Sequence, residues 1–161
     1  MPTTFLYTAF YWENFIYFGM GPQHGPNGTL AIGFPLGTAK LPGIAVDDIG
    51  RVAHAIFRAE GDHISESVYI AGEHLTGVEL AAAFSRALSD TVEYHDMDPD
   101  LYRSLGFPAA EELGNMFQFK RDFETVYVGA RDLTKTRQLH PQLTTFDAWL
   151  AANKHRIPLP T

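Results

Sequence analysis

From Phe5 to Trp12 the chain reads Phe-Leu-Tyr-Thr-Ala-Phe-Tyr-Trp, apolar and aromatic without clean polar alternation. Such a run predicts a strand buried on both faces, as in a parallel sheet. Parallel strands are joined by crossover helices. Nothing ahead of residue 5 supplies one, so the pattern implies a chain that enters midway through a larger α/β fold. Glu13 to Phe18 continues as a short apolar helix or turn. The Gly- and Pro-rich stretch 19–28 predicts a loop, residues 29–34 a strand, and residues 43–46 a short extended piece.

Helical spacing starts after Val46. Asp47 and Asp48 read as the N-cap and first-turn negative charge of a helix. Ile49, Val52, Ala53, Ile56 and Phe57 then form its buried stripe. Residues 67–71 predict a strand ended by Gly72. Thr76-Gly77-Val78-Glu79 spells a capping box, opening a helix with Leu80, Phe84, Ala87 and Leu88 on one face. Residues 91–95 predict another strand. Asp98-Pro99 places a cap and a proline at the start of a helix that Gly106 stops. A longer amphipathic helix over 109–123 carries Leu113, Met116, Phe117 and Phe119. A last helix over 144–155 buries Phe146, Trp149 and Leu150. Helices and strands alternate from Asp47 to His95, the layering of an α/β fold.

Composition narrows the function classes. Over 161 residues, 45% are hydrophobic and 13% aromatic, enough for a real core. Twelve Lys and Arg against nineteen Asp and Glu leave a net charge of −7. An acidic chain without a basic cluster is a poor binder of nucleic-acid backbone, so no direct nucleic-acid binding is expected. The absence of cysteine excludes a disulfide framework, thiolate metal sites and a cysteine nucleophile. No apolar run reaches the ~18 residues of a membrane helix, and no signal-peptide pattern opens the chain. The expected compartment is cytoplasmic, with nuclear entry open by diffusion.

Candidate chemistry is sparse. Gly19, Gly21 and Gly25 spell a G-x-G-x-x-x-G run, one residue off the dinucleotide fingerprint and in the wrong context. It reads as a surface loop. No Tyr-x-x-x-Lys pair, G-x-S-x-G elbow or P-loop occurs. Seven histidines are scattered without metal-ligand spacing, so no metal is expected. The suggestive segment is Tyr11-Trp12-Glu13-Asn14, just past the C-terminal end of the first predicted strand, where open α/β sheets bind ligands. Tyr11 and Trp12 offer rings for stacking on a flat ligand, and Asn14 an amide for a ribose or carboxamide. The alternative is that these aromatics are core and Asn14 caps a turn.

The same residues carry a family resemblance. Phe10-Tyr11-Trp12-Glu13-Asn14-Phe15 resembles the F/Y-x-E-N segment of NmrA-like proteins, members of the atypical short-chain dehydrogenase/reductase superfamily. Val46-Asp47-Asp48-Ile49-Gly50 is similar to their V-x-D-L/I-G helix start. Leu105 to Phe117 resembles the L-G-F-P-x-A-x-x-L-x-N-M-F stretch of the NADPH-sensing subgroup, and Leu143 to Leu150 the closing L-T-x-x-x-W-L helix. The resemblance implies the C-terminal half of such a protein. Residues 1–60 would be the last strands and helix of a Rossmann-like NAD(P)-binding fold, and residues 61–161 a smaller α/β substrate-side region, with an interleaved boundary. It also implies that Tyr11, Trp12, Glu13 and Asn14 border the nicotinamide end of NADP, and that the Gly-rich phosphate loop lies upstream of this chain. The implied function is an NAD(P)-binding redox sensor or regulator that grips a protein partner or forms a homodimer. An NAD(P)H-dependent reductase of quinones or other small molecules is the alternative.

Overall fold

The computed structural model describes residues 1–160. The Phe5–Trp12 run forms two short strands rather than one. β1 (Phe5–Tyr7) pairs in parallel with β6 (Ser67–Tyr69). β2 (Phe10–Tyr11) pairs in parallel with β5 (Lys40–Ile44), which pairs antiparallel with β7 (Glu73–Thr76). The step between β1 and β2 is clamped by Arg131, whose Nε and Nη2 both donate to the Thr8 carbonyl, at 3.0 and 2.8 Å. In a third sheet, β3 (Gln23–His24) runs antiparallel to β4 (Leu30–Phe34), and β4 runs parallel to β8 (Val92–Asp96). The β1–β6 and β5–β7 ladders both cross position 60, so the segments before and after it share sheets.

The expectation that the first strand is buried on both faces is corrected. Leu6 and Val68 pack with Ile44, Val52 and Ile70 in the cluster that also takes Ile49 and Ile56 from α2 (Val46–Arg58). On the opposite face Phe5 is 55% and Tyr7 43% exposed. One helix can cover one face, because successive strand residues point to opposite sides. The α2 stripe also ends at Ile56: Phe57 is exposed.

Asp47 and Asp48 do not cap α2. Ala45 holds the N-cap position, and the Asp48 carboxylate is fully buried. Its Oδ1 accepts from Arg51 Nη1 at 3.0 Å and His140 Nε2 at 3.2 Å. Its Oδ2 accepts from the Thr144 amide at 2.8 Å. A buried carboxylate is tolerated when its oxygens are satisfied in this way, and this one ties α2 to the loop leading into the last helix.

α3 (Gly77–Leu88) has the capping box the sequence spells. Thr76 Oγ1 accepts from the Glu79 amide at 3.2 Å, and Glu79 Oε2 accepts from the Thr76 amide at 2.8 Å. α3 packs on β8 and on α8 (Phe146–Asn153), which a 3-10 turn at Lys154–Arg156 follows. Between them lies an aromatic core of edge-on and tilted rings: Phe15 meets Phe84 at 5.0 Å, and Phe34 meets Phe117 at 5.1 Å. α1 (Asn14–Tyr17) delivers Phe15 and α5 (Ala110–Asp122) delivers Phe117 to this core. On α5, Phe119, expected among the apolar positions of the helix, faces solvent, and its neighbour Lys120 is buried. α4 (Pro99–Arg103) is capped by Asp98, whose Oδ1 accepts from the Asp100 amide at 2.8 Å. α6 (Glu124–Ala130) and α7 (Leu133–Leu139) complete the fold. Among the described residues no helix is long and apolar enough to cross a membrane, and no cluster of three or more metal-ligating side chains occurs.

Candidate functional site

The four residues singled out in the sequence lie where β2 ends and α1 begins, and the structure sorts them into different roles. Tyr11, the last residue of β2, is 39% exposed, and its hydroxyl lies 3.1 Å from Thr8 Oγ1. Trp12 points the other way and is 1% exposed. Its indole lies across Gly43, where any Cβ would collide with the ring, and packs against Phe146 and Trp149 at 5.3 and 6.2 Å. The expectation that Trp12 stacks on a ligand is therefore corrected: its ring belongs to the core.

Glu13 is a staple. Oε1 accepts from the Trp149 indole N–H at 3.0 Å, and Oε2 accepts from the Val46 amide at 3.1 Å. One carboxylate thus holds the start of α2 and the middle of α8 against the β2–α1 turn. Asn14 opens α1. Its side-chain amide makes no hydrogen bond among the described residues, and the residue is half-buried. An amide that no protein group satisfies, beside a carboxylate that is fully engaged, leaves Asn14 as the polar group of the segment available to a ligand.

Tyr11, Glu13 and Asn14 line a cavity of about 560 Å³, within the size range of small-molecule sites. Its far wall comes from distant sequence: Asp47 and Arg51 on α2, Thr144, and Asn153 and Arg156 at the end of α8. Arg51 is paired with Asp48 at 3.0 Å. Arg156 donates to the Tyr17 hydroxyl and, at 2.8 Å, to Asn153 Oδ1. Sequence reasoning missed these wall residues. The basic run Lys154-His155-Arg156 reads as a helix-end charge cluster, and no local pattern links it to Tyr17, 139 residues away.

The placement agrees with the general position of ligands in open α/β sheets, beyond the carboxyl end of a parallel strand. Both oxygens of Glu13 and the hydroxyls of Tyr11 and Tyr17 have partners within the chain, whereas the exposed Asp47 carboxylate has none among the described residues.

Comparisons with known proteins agree on the fold. The family model described as the NmrA-like family matches residues 1–150. NmrA, a negative transcriptional regulator, in complex with NADP superposes with a TM-score of 0.72 at 22% identity, over 94% of this chain and 52% of that one. Citrobacter sp. triphenylmethane reductase complexed with NADP(H) gives a TM-score of 0.74 at 18% identity, over 94% and 53%. An NADPH-dependent quinone oxidoreductase from Escherichia coli gives 0.67 at 20% identity, over 92% and 54%. The chain therefore spans about half the length of the structures it matches, and at these identities the likeness shows a shared Rossmann-like α/β fold. With the family match running through β1 to α8 in order, the chain belongs to the NmrA-like family.

Proposed function

We propose that this chain forms the nicotinamide-side wall of an NAD(P)-binding protein that acts as a redox sensor or regulator. The observation that carries this reading is the unpartnered Asn14 amide, set beside the exposed Tyr11 ring at the mouth of a cavity past the end of β2. Glu13 holds that turn rigid through two hydrogen bonds, so Asn14 is presented in one geometry. In this arrangement the Asn14 amide pairs with the carboxamide or ribose of the nicotinamide half, and Tyr11 covers its ring. NADP and NAD are each bound in matching structures of NmrA. The preference for a sensor over an enzyme rests on the engaged oxygens of Glu13, Tyr11 and Tyr17 at the cavity. Protein partners or a second copy of the chain would read the bound state.

The second reading is an NAD(P)H-dependent reductase of a small organic molecule. It is favoured by the reductases among the similar structures.

The test uses nicotinamide mononucleotide and 2′-phosphoadenosine-5′-phosphate as separate probes of the two cofactor halves, read by side-chain amide NMR. The nicotinamide half is expected to shift the Asn14 amide, and the adenosine half to leave it in place. Asn14→Ala is expected to weaken the nicotinamide half roughly three- to tenfold, the worth of one net hydrogen bond. An unchanged affinity in a variant of normal melting temperature would sink the assignment.

A further inference from the structure

A second cavity lies on the other side of α1. It encloses about 760 Å³ between the α1–β3 loop, strands β4 and β8, and the segment through α4 to Pro108. Tyr17 and Phe18 line both cavities and form the partition between them. The walls of the second are Met20, Met97, Phe34 and Tyr102, with His24, His95 and Gln23 as further polar members. Gly33 makes room for this arrangement: a Cβ there would collide with the Met97 methyl group. No Lys, Arg, Asp or Glu lines the cavity, so an ionic ligand would find no counter-charge from the acidic or basic side chains of the wall. Methionines and aromatic rings provide an adaptable apolar surface suited to a flat ring system.

The polar groups have a definite hydrogen-bonding sense. His24 Nδ1 lies 3.0 Å from the Gly28 carbonyl oxygen, which can only accept. Nδ1 therefore carries the hydrogen, and in the neutral ring Nε2 is left as an acceptor. His95 Nε2 lies 3.1 Å from Glu93 Oε2, again an acceptor. Its Nδ1 is the acceptor that remains. Tyr102 is nearly buried, and burial pushes its phenol up to about 12, so it stays protonated at neutral pH. Its hydroxyl has no partner among the described residues and is free to donate. With the imidazoles neutral, two acceptors and a hydroxyl donor in a ring-lined cavity without Lys, Arg, Asp or Glu are the complement of an aromatic hydroxyl group.

We propose that this cavity is a binding site for an uncharged, flat hydroxyaromatic compound of the phenol or naphthol class. The ring system lies among Met20, Met97 and Phe34. The hydroxyl donates to the free nitrogen of His24 or His95 and accepts from Tyr102.

The chain has four methionines, Met1, Met20, Met97 and Met116, which makes methyl NMR a direct test. Protein labelled with ¹³C at the methionine methyls is titrated with 2-naphthol and, separately, with 2-methoxynaphthalene, which has the same ring and no hydroxyl hydrogen. The expected result is a saturable shift of the Met20 and Met97 signals by 2-naphthol, with Met1 and Met116 unmoved. The methyl ether is expected to bind roughly three- to tenfold more weakly, the worth of one hydrogen bond. His24→Phe with His95→Phe, and separately Tyr102→Phe, is expected to narrow that difference while the ring still binds. His24 lies on the exposed β3 strand, so His24→Phe alone supplies a fold-safe control. No shift, a shift of all four methyls together, or equal binding of naphthol and its ether would overturn the proposal. The assay contains no nucleotide, so its failure is separate from failure of the nucleotide reading.

Discussion

The indole N–H of Trp149 donates to Oε1 of Glu13 across 136 positions of sequence, at 3.0 Å. This contact joins the last helix of the chain to the turn that presents Asn14. The second oxygen of the same carboxylate receives the Val46 amide, so three elements meet at one side chain. Removing it strands two donors at once. Glu13→Ala is expected to cost roughly 2–6 kcal/mol, at ~1–3 kcal/mol per donor left without its partner. It should also weaken any ligand that Asn14 holds. Urea melts of the variant and the parent check the first effect. A loss below ~0.5 kcal/mol would show that water replaces the carboxylate without penalty.

Lys120 is the other unusual group. Its Nζ sits 5.5–5.7 Å from the ring centres of Phe10, Phe117 and Tyr127, without a carboxylate partner among the described residues. Burial, with the Arg131 charge nearby, pulls its ammonium down to about 7 from the ordinary 10.5. Between those values the unfolded chain holds the proton and the folded chain has lost it. Stability must therefore rise with pH from about 7 toward 10, and level off below 7 where both states are charged. Above pH 10 the phenols of buried Tyr102 and half-buried Tyr127, held above their ordinary values by desolvation, oppose the trend. Lys120→Met keeps the length and removes the charge. It should raise the stability at pH 7 by about 1–3 kcal/mol and flatten the slope between pH 7.5 and 9.5. Denaturant melts across that range are the check, and an unchanged slope would show that Lys120 keeps its proton in the fold.

NADPH is expected not to saturate this chain at low micromolar concentration. The Gly19–Gly25 run contains the short strand β3 and opens no helix, so it lacks the strand–turn–helix amides that cradle a pyrophosphate. On the proposed reading, the cavity beside Asn14 takes only one end of the dinucleotide. Fluorescence titration reading Trp149, which lines that cavity, decides it. Saturable quenching at low micromolar NADPH would overturn the expectation.

The exposed face of β1 predicts association. Phe5 and Tyr7 lie on one side of the β1–β6 pair, where Tyr7 stacks on Tyr69 with ring centres 4.6 Å apart. Among the described residues β1 pairs on one edge, with β6. An apolar face beside an open edge favours pairing with another chain. Light scattering after size exclusion is expected to show dimers or larger species, and Phe5→Glu to shift them toward monomer. A parent protein that elutes as a monomer at every concentration would rule this out.

Several features were legible in the sequence because short-range chemistry sets them. The Thr76–Glu79 capping box and the Asp98-Pro99 helix start need a few neighbouring residues, and both appear as spelled. The parallel pairing expected of the aromatic opening run also holds, as β1 with β6 and β2 with β5. The family-like segment at Tyr11–Asn14 was legible as a unit, because its strand end and helix start are local.

What each of its side chains does was decided elsewhere. Trp12 is core because Gly43, on another strand, leaves room for its ring, and Glu13 is a staple because Trp149 arrives from the last helix. Lys120 is buried and Phe119 exposed because Phe10 and Tyr127 close over that side of α5. A helical period alone does not say which side a neighbour will cover. Asp48 reads as a helix-start charge until His140 and the Thr144 amide reach it from across the fold. The cavity beside Met20 and Met97 joins residues 17–34 to residues 95–108. Local pattern fixes backbone conformation residue by residue, whereas burial and hydrogen-bond partners depend on which distant segments are brought into contact.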